Sequence, residues 1–164
     1  MRLFYLLFIV LILNSCKINY SFTGASVSPN VKTVSIQYFP NQAPLVHPLL
    51  SQVFTEAMKD KFVSRTSLEL INGIGDLNFE GYISDYTNKP TSIQRESAAE
   101  NRLTISIKVK FSNSINPEQD FETSFSAFED YESSQNLSDV EDQLIEEIID
   151  KIIEDIFNKS VANW

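Results

Sequence analysis

Arg102-Leu103-Thr104-Ile105-Ser106-Ile107-Lys108-Val109-Lys110-Phe111-Ser112-Asn113 is the stretch that decides the fold. Leu103, Ile105, Ile107, Val109 and Phe111 fall on one side, and Arg102, Thr104, Ser106, Lys108 and Lys110 on the other. A period of two places successive side chains on opposite faces of a strand. Clean alternation means a sheet with one covered face and one wet face. The remainder of the chain must therefore supply further strands and a cover.

The strands are found on both sides of this stretch. Downstream, Asn113-Ser114-Ile115-Asn116-Pro117 reads as a turn, and Phe121 to Tyr131 as the partner strand, with Phe121, Thr123, Phe125 and Ala127 on one face. Upstream, Leu77, Phe79, Gly81 and Ile83 alternate with Asn78, Glu80 and Tyr82. Before them Leu68-Glu69-Leu70-Ile71 is extended, and Asn72-Gly73-Ile74-Gly75-Asp76 interrupts it. The glycines make either a turn between two short strands or a bulge in one long one. Val31 to Phe39 alternates as well, with Val34, Ile36 and Tyr38 against Thr33, Ser35 and Gln37, and the prolines of Pro40-Asn41-Gln42-Ala43-Pro44 stop it. Asn88 to Asn101 is polar and is expected to be the longest loop of the domain.

Two helices provide the cover. From about Pro48 to Ser64, Leu50, Val53, Phe54, Ala57, Met58 and Phe62 recur every three or four residues, with Pro48 at the first helical position. From about Asp139 to Val161, Val140, Leu144, Ile145, Ile148, Ile149, Ile152, Ile153, Ile156 and Phe157 make a wide stripe, opposite an acidic face. Ser138-Asp139-Val140-Glu141 reads as a capping box at its start. The order predicts an α+β fold: a two-layer sandwich with two helices packed on one face of a mainly antiparallel sheet of about four strands.

The chain carries 13 Lys+Arg and 22 Asp+Glu, a net −9. That balance excludes nucleic acid as a general partner, because phosphate binding needs a positive footprint. Catalytic constellations are not found in it. His47 is the one histidine, stands beside Pro48, and reads as a residue leading into the helix. Gly73-Ile74-Gly75 lacks the third glycine and the following helix of a phosphate cradle. Zinc ligands are lacking, and the acids of the last helix lie on one face and do not converge on a cation. No catalytic residue, metal site or cofactor is therefore predicted. Lys89, Arg95, Arg102, Lys108 and Lys110 cluster in the polar segment and on the outward face of the deciding strand. They read either as strand solubility and edge protection or as an anion site, with Arg95, Lys89 and Arg102 as the ligands of a phosphate-bearing partner.

The first residues set the compartment. After Met1-Arg2, Leu3 to Leu13 is an unbroken apolar run, shorter than the roughly 20 residues of a bilayer span. It fits the core of a secretory signal and leads into Leu13-Asn14-Ser15-Cys16, which resembles the lipobox of bacterial lipoproteins. The expected division is a signal peptide over residues 1–15, a lipidated tether over 16–30 and a single domain over 31–164. Removal of residues 1–15 takes away one cation, Arg2, and no acid, so the charge becomes −10. Cys16 is the only cysteine, so no internal disulfide is possible. The resemblance implies that Cys16 is acylated, and acyl chains, not surface charge, would then hold the protein to the membrane.

The chain as a whole resembles the LptE lipopolysaccharide-assembly lipoproteins. The residues that carry the likeness are Tyr20-Ser21-Phe22-Thr23-Gly24, Ser35-Ile36-Gln37-Tyr38-Phe39-Pro40-Asn41, Asp76-Leu77-Asn78-Phe79-Glu80-Gly81, Arg102-Leu103-Thr104-Ile105 and Asn136-Leu137-Ser138-Asp139-Val140-Glu141. The resemblance implies a two-layer sandwich, no enzymatic activity, and a place as plug and assembly partner inside an LptD-like β-barrel of the outer membrane. It also implies contact with lipopolysaccharide at an arginine before the long central strand, for which Arg95 is the nearest match. At a second basic position of the family, just before the last helix, Ser138 stands here. Lys17-Ile18-Asn19 carries no acids after the cysteine, which favours an outer-membrane anchor facing the periplasm. The alternative reading is an acylated lipoprotein that binds an amphiphile, or is displayed at the cell surface, without a barrel partner.

Overall fold

The computed structural model describes residues 27–45, 47–91 and 100–162. The lipobox with Cys16, most of the tether and Arg95 lie outside the described residues. The elements run β1 (Thr33–Ile36), α1 (Leu50–Arg65), β2 (Glu69–Leu70), β3 (Leu77–Pro90), β4 (Glu100–Asn113), β5 (Phe121–Glu132) and α2 (Leu137–Phe157), the last followed by a short π turn, Asn158–Ala162. The five strands form one sheet in the order β2-β1-β3-β4-β5. β3, β4 and β5 make an antiparallel meander, whereas β1 runs parallel to both β2 and β3. The sheet thus has five strands where about four are expected; its three long strands form the expected antiparallel part, and β1 adds a parallel part.

The apolar face of β4 sits at the centre: Leu103, Ile105, Ile107 and Val109 are fully buried and Phe111 is 1% exposed. The expected stripes of both helices belong to the same core, through Leu50, Phe54, Met58 and Phe62 of α1 and Leu144 to Phe157 of α2. Phe62 packs on Phe79 and Phe157, with centroids 4.8 and 5.2 Å apart, and the rings continue through Phe111 to Phe121. Isoleucine is a modest helix former, so α2 owes its stability to this burial, worth about 1.5–3 kcal/mol for each large apolar side chain.

Several expectations are corrected. Tyr38 is 62% exposed, and Phe39 takes the buried place. The ladder ends at Ile36, and the chain bends before Pro40, so the alternation slips by one residue. The Phe39 N–H then donates to Thr55 Oγ1 and its ring meets Phe54 edge-on. α1 starts at Leu50, with Pro48 in the preceding turn. The polar segment is shorter than a 88–101 loop: Lys89 pairs with Arg102 and Pro90 with Asn101, and only 91–99 link the strands. Helix α2 begins two residues early, at Leu137, with Asn136 as cap residue and no side-chain capping bond. Ser138 is not the cap, because Glu141 is taken by the Tyr86 hydroxyl, which donates to it from β3.

The glycine segment is a crossover. β2 and β3 do not pair with each other; both flank β1, and residues 71–76 pass over it. Ser35 Oγ donates to the Gly73 carbonyl at 2.5 Å, and the Asp76 carboxylate accepts the N–H groups of Lys32 and Thr33 at 2.8 and 3.0 Å. Gly73 has φ +106°, open to glycine at no steric cost. A Cβ on Gly75 would lie 3.1 Å from the Ser35 nitrogen. The crossing backbone is why Ser35, which points away from the helices, is 1% exposed.

Candidate functional site: the outer face of the sheet

The face of the sheet turned away from the helices holds the cations singled out in the sequence, and it pairs most of them. Arg102 forks onto Asp130 of β5, with Nε donating to Oδ1 at 2.7 Å and Nη2 to Oδ2 at 2.8 Å. Its guanidinium also lies 3.6 Å from the Phe128 ring centroid. Lys108 pairs with Glu122 and Lys110 with Glu80, each at 2.6 Å. The hydrogen bond to Asp130 raises the Arg102 pKa and holds that of Asp130 below the ordinary carboxylate range. Glu122 is lowered likewise by its bond to Lys108.

These contacts correct the reading of a free positive patch. Lys110 stands on β4 between Glu80 of β3 and Glu122 of β5 in one cross-strand row, while Lys108 and Arg102 take their acids, Glu122 and Asp130, from β5. Each cation is visible in its own strand's alternation, but the acid opposite comes from a different strand in a register that no local pattern reveals. Lys89 is different. It stands directly across the ladder from Arg102, is exposed, and has no acidic partner among the described residues. The structure therefore brings Lys89 and Arg102 together at the end of the β3–β4 hairpin, while Arg95 lies outside the described residues.

A second feature had no signal in the sequence. A groove of about 750 Å³ runs along the same face, lined by Tyr38, Ile74, Tyr82, Lys108, Lys110 and Glu122 among others. Ile74 is 89% and Tyr38 62% exposed. The bend before Pro40 and the crossover put these two apolar groups beside the ion-paired row. The groove is amphipathic, with apolar groups at one rim and cations along the floor.

His47 does the structural work expected of it. Its ring is 16% exposed, stacks on Tyr86 with centroids 6.4 Å apart, and its Nε2 lies 3.8 Å from Asp142 Oδ1. Burial, then the bond to Glu141, raises the Tyr86 pKa above its ordinary value. The group clasps the start of α1 to β3 and to the first turns of α2. No group of three or more His, Cys, Asp or Glu among the described residues is placed to hold a metal ion. No helix among them is long and apolar enough to cross a membrane.

The comparison that decides the affiliation covers nearly all of this domain: residues 31–160 match the family model described as LptE, lipopolysaccharide-assembly. The chain belongs to the LptE family. LptE-type lipoproteins serve lipopolysaccharide assembly, and the two-layer sandwich is found again in solved structures. A minor lipoprotein of Acinetobacter baumannii superposes with a TM-score of 0.52 at 12% identity, over 79% of this chain and 91% of that one. A hypothetical protein of Chlamydia trachomatis gives 0.55 at 11%, over 81% and 99%. Lipoprotein B of Nitrosomonas europaea gives 0.53 at 12%, over 87% and 88%. At such identities the likeness is one of fold. No curated protein sequence matches the chain. Among the described residues, the hairpin end sets the exposed Lys89 beside the half-buried Arg102, next to the connection 91–99.

Proposed function

We propose that this protein is a lipid-anchored, non-enzymatic partner of an LptD-like outer-membrane β-barrel, which it plugs and helps to assemble for delivery of lipopolysaccharide. The observation that carries the reading is the family match across 31–160, which spans the whole packed sheet and both helices. Cys16 supplies the anchor through its acyl chains, and the domain faces the periplasm. Stable attachment needs two or more chains, which lipobox processing supplies.

Glycolipid phosphates meet the domain at the hairpin end. Lys89 offers an ammonium that has no acidic partner among the described residues, and Arg95 a guanidinium from the adjoining segment. Arg102 spends two of its five donors on Asp130. It contributes the remainder and a fixed position. Guanidinium forks match phosphate oxygens better than ammonium points do, so Arg95 is the main contact.

Site-specific photo-cross-linking in living cells, scanned over residues 88–102, tests both parts. Barrel adducts and glycolipid adducts from neighbouring positions are expected. Absence of any barrel adduct there and of a barrel in the co-purified material overturns the plug. Arg95→Asp is expected to weaken lipopolysaccharide binding about tenfold at low salt, and less at high salt, while the barrel still co-purifies. Unchanged binding removes Arg95 from the site and leaves the plug. Mass spectrometry of the mature N-terminus tests the anchor, with an unmodified start other than Cys16 excluding it.

A further inference from the structure

We propose that the free edge of β5 accepts an extended, basic polypeptide strand by β-augmentation, with Thr123–Phe128 as the docking register. β5 closes the strand order, and among the described residues no segment pairs with its outer edge. Apart from Gln135, whose N–H donates to the Glu132 carbonyl, no backbone bond from the described residues outside the β4 ladder reaches it. Every second residue of an edge strand turns its N–H and C=O outward, a template for another chain.

Natural sheets blunt such edges with short strands, lysines, prolines or bulges. The opposite edge follows that rule: β2 is two residues long. β5 is twelve residues long, and its pairing with β4 runs from Glu100–Glu132 to Phe111–Phe121 without a register shift. Thr123-Ser124-Phe125-Ser126-Ala127-Phe128 contains no charge, no proline and no glycine. None of the protective devices is present in it.

The surroundings indicate the occupant. A groove of about 630 Å³ follows this edge between β5 and α2, lined by Ser126, Ala127, Phe128, Asp130, Asp155 and Glu154 among others. Phe128 is 45% exposed there. Glu129 and Glu154 are bound by Lys151 and Lys61, and Asp130 by Arg102, which leaves Asp155 without an ion pair among the described residues. The rim is acidic, so a strand bearing Lys or Arg beside Asp155 is favoured. A second copy is disfavoured: antiparallel pairing about Ser126 would set Glu122 against Asp130 at both ends, and like charges directly opposite are destabilising. Main-chain bonds give such a complex its affinity, and the groove its choice of side chains.

The test is amide hydrogen exchange of the full chain with a ten-residue peptide of alternating Val and Thr bearing two terminal lysines, and with the same peptide carrying glutamates instead. The lysine peptide is expected to slow exchange at outward-facing amides of Thr123–Phe128 at least tenfold, and the glutamate peptide not at all. Asp155→Lys is expected to reverse this preference, while unchanged exchange in β4 shows that the variant is folded. No slowing by either peptide overturns the proposal. So does equal slowing by both, or protection of the same amides before any peptide is added. If that prior protection depends on concentration the occupant is a second copy, and if not it is a segment of this chain.

Discussion

The two faces of β4 are made by alternate residues of one strand, yet they are held by different physics. On the inner face Leu103, Ile105, Ile107 and Val109 have no exposure and touch other apolar groups. On the outer face Arg102, Lys108 and Lys110 remain partly in water and meet acids from neighbouring strands. Burial of the first kind is large, unscreened and insensitive to pH. Exposed ion pairs contribute little to stability and are weakened by salt. The inner face therefore determines whether the chain folds, and the outer face what it presents to a partner.

The largest expected effect breaks the inner face. Ile152 of α2 is fully buried, and truncation of a buried isoleucine to alanine costs about 2–5 kcal/mol. Chemical denaturation of Ile152→Ala should show a loss in that range. A near-zero loss would mean that the stripe of α2 covers a partner and not its own sheet.

Gly81 probes the layer where the two faces meet. A Cβ at this position would lie 2.0 Å from the Lys108 carbonyl oxygen and 2.8 Å from the Phe39 ring. Neither the β3–β4 ladder nor a fully buried ring can yield without moving backbone. Gly81→Ala is expected to cost about 1–3 kcal/mol as overpacking, read as a lower urea midpoint. An unchanged midpoint would show that β3 is free to shift along β4.

This comparison also explains what could be read in advance. The inner face is written in local periodicity: the alternation of β4 and the three-four spacing of both helices each name their buried residues within one element. The outer face depends on register. Nothing near Lys110 indicates that Glu80 and Glu122 flank it, so the sequence shows a positive patch without its acids. The crossover was hidden for the same reason, since β2 and β3 pair with β1 across distant sequence, and the glycines reveal only that the chain bends. The exposure of Tyr38 follows from a one-residue slip after Ile36, which hands the buried place to Phe39. The capping box failed because Tyr86, remote in sequence, competes for Glu141. Of the candidate site, Lys89 and Arg102 were legible as outward cations, but their adjacency needed the ladder.

A smaller effect separates fixed acids from solvated ones. The Asp76 carboxylate accepts the backbone N–H groups of Lys32 and Thr33, and these bonds hold its pKa below the ordinary carboxylate value. A folded-state pKa below the unfolded one contributes stability above the unfolded value of about 3.9, and loses it as pH falls through the folded value. The wild-type chain should therefore lose stability on acidification below about pH 4, and part of that slope should vanish in Asp76→Asn. Identical acid profiles for the two proteins would show that the crossover is not tied down by this charge.

The smallest expected effect concerns the Arg102–Asp130 fork. Both side chains are partly exposed, at 40% and 30%, so solvent and salt screen their attraction. A double-mutant cycle of Arg102→Ala and Asp130→Ala should return a coupling that is barely measurable at low salt and absent at 1 M, where the screening length falls to about 3 Å. What lies over this face decides the outcome. Against water alone, the fork keeps Arg102 oriented beside Lys89 at little energetic gain, and its loss should affect anion binding more than folding. If the coupling instead persists at 1 M salt, the pair is shielded from solvent in the full chain, and residues 91–99 or the tether cover it. That result would shift the outer face at the hairpin end from a presenting surface to a second core, and would sharpen the contrast between the faces into one between two halves of the sheet.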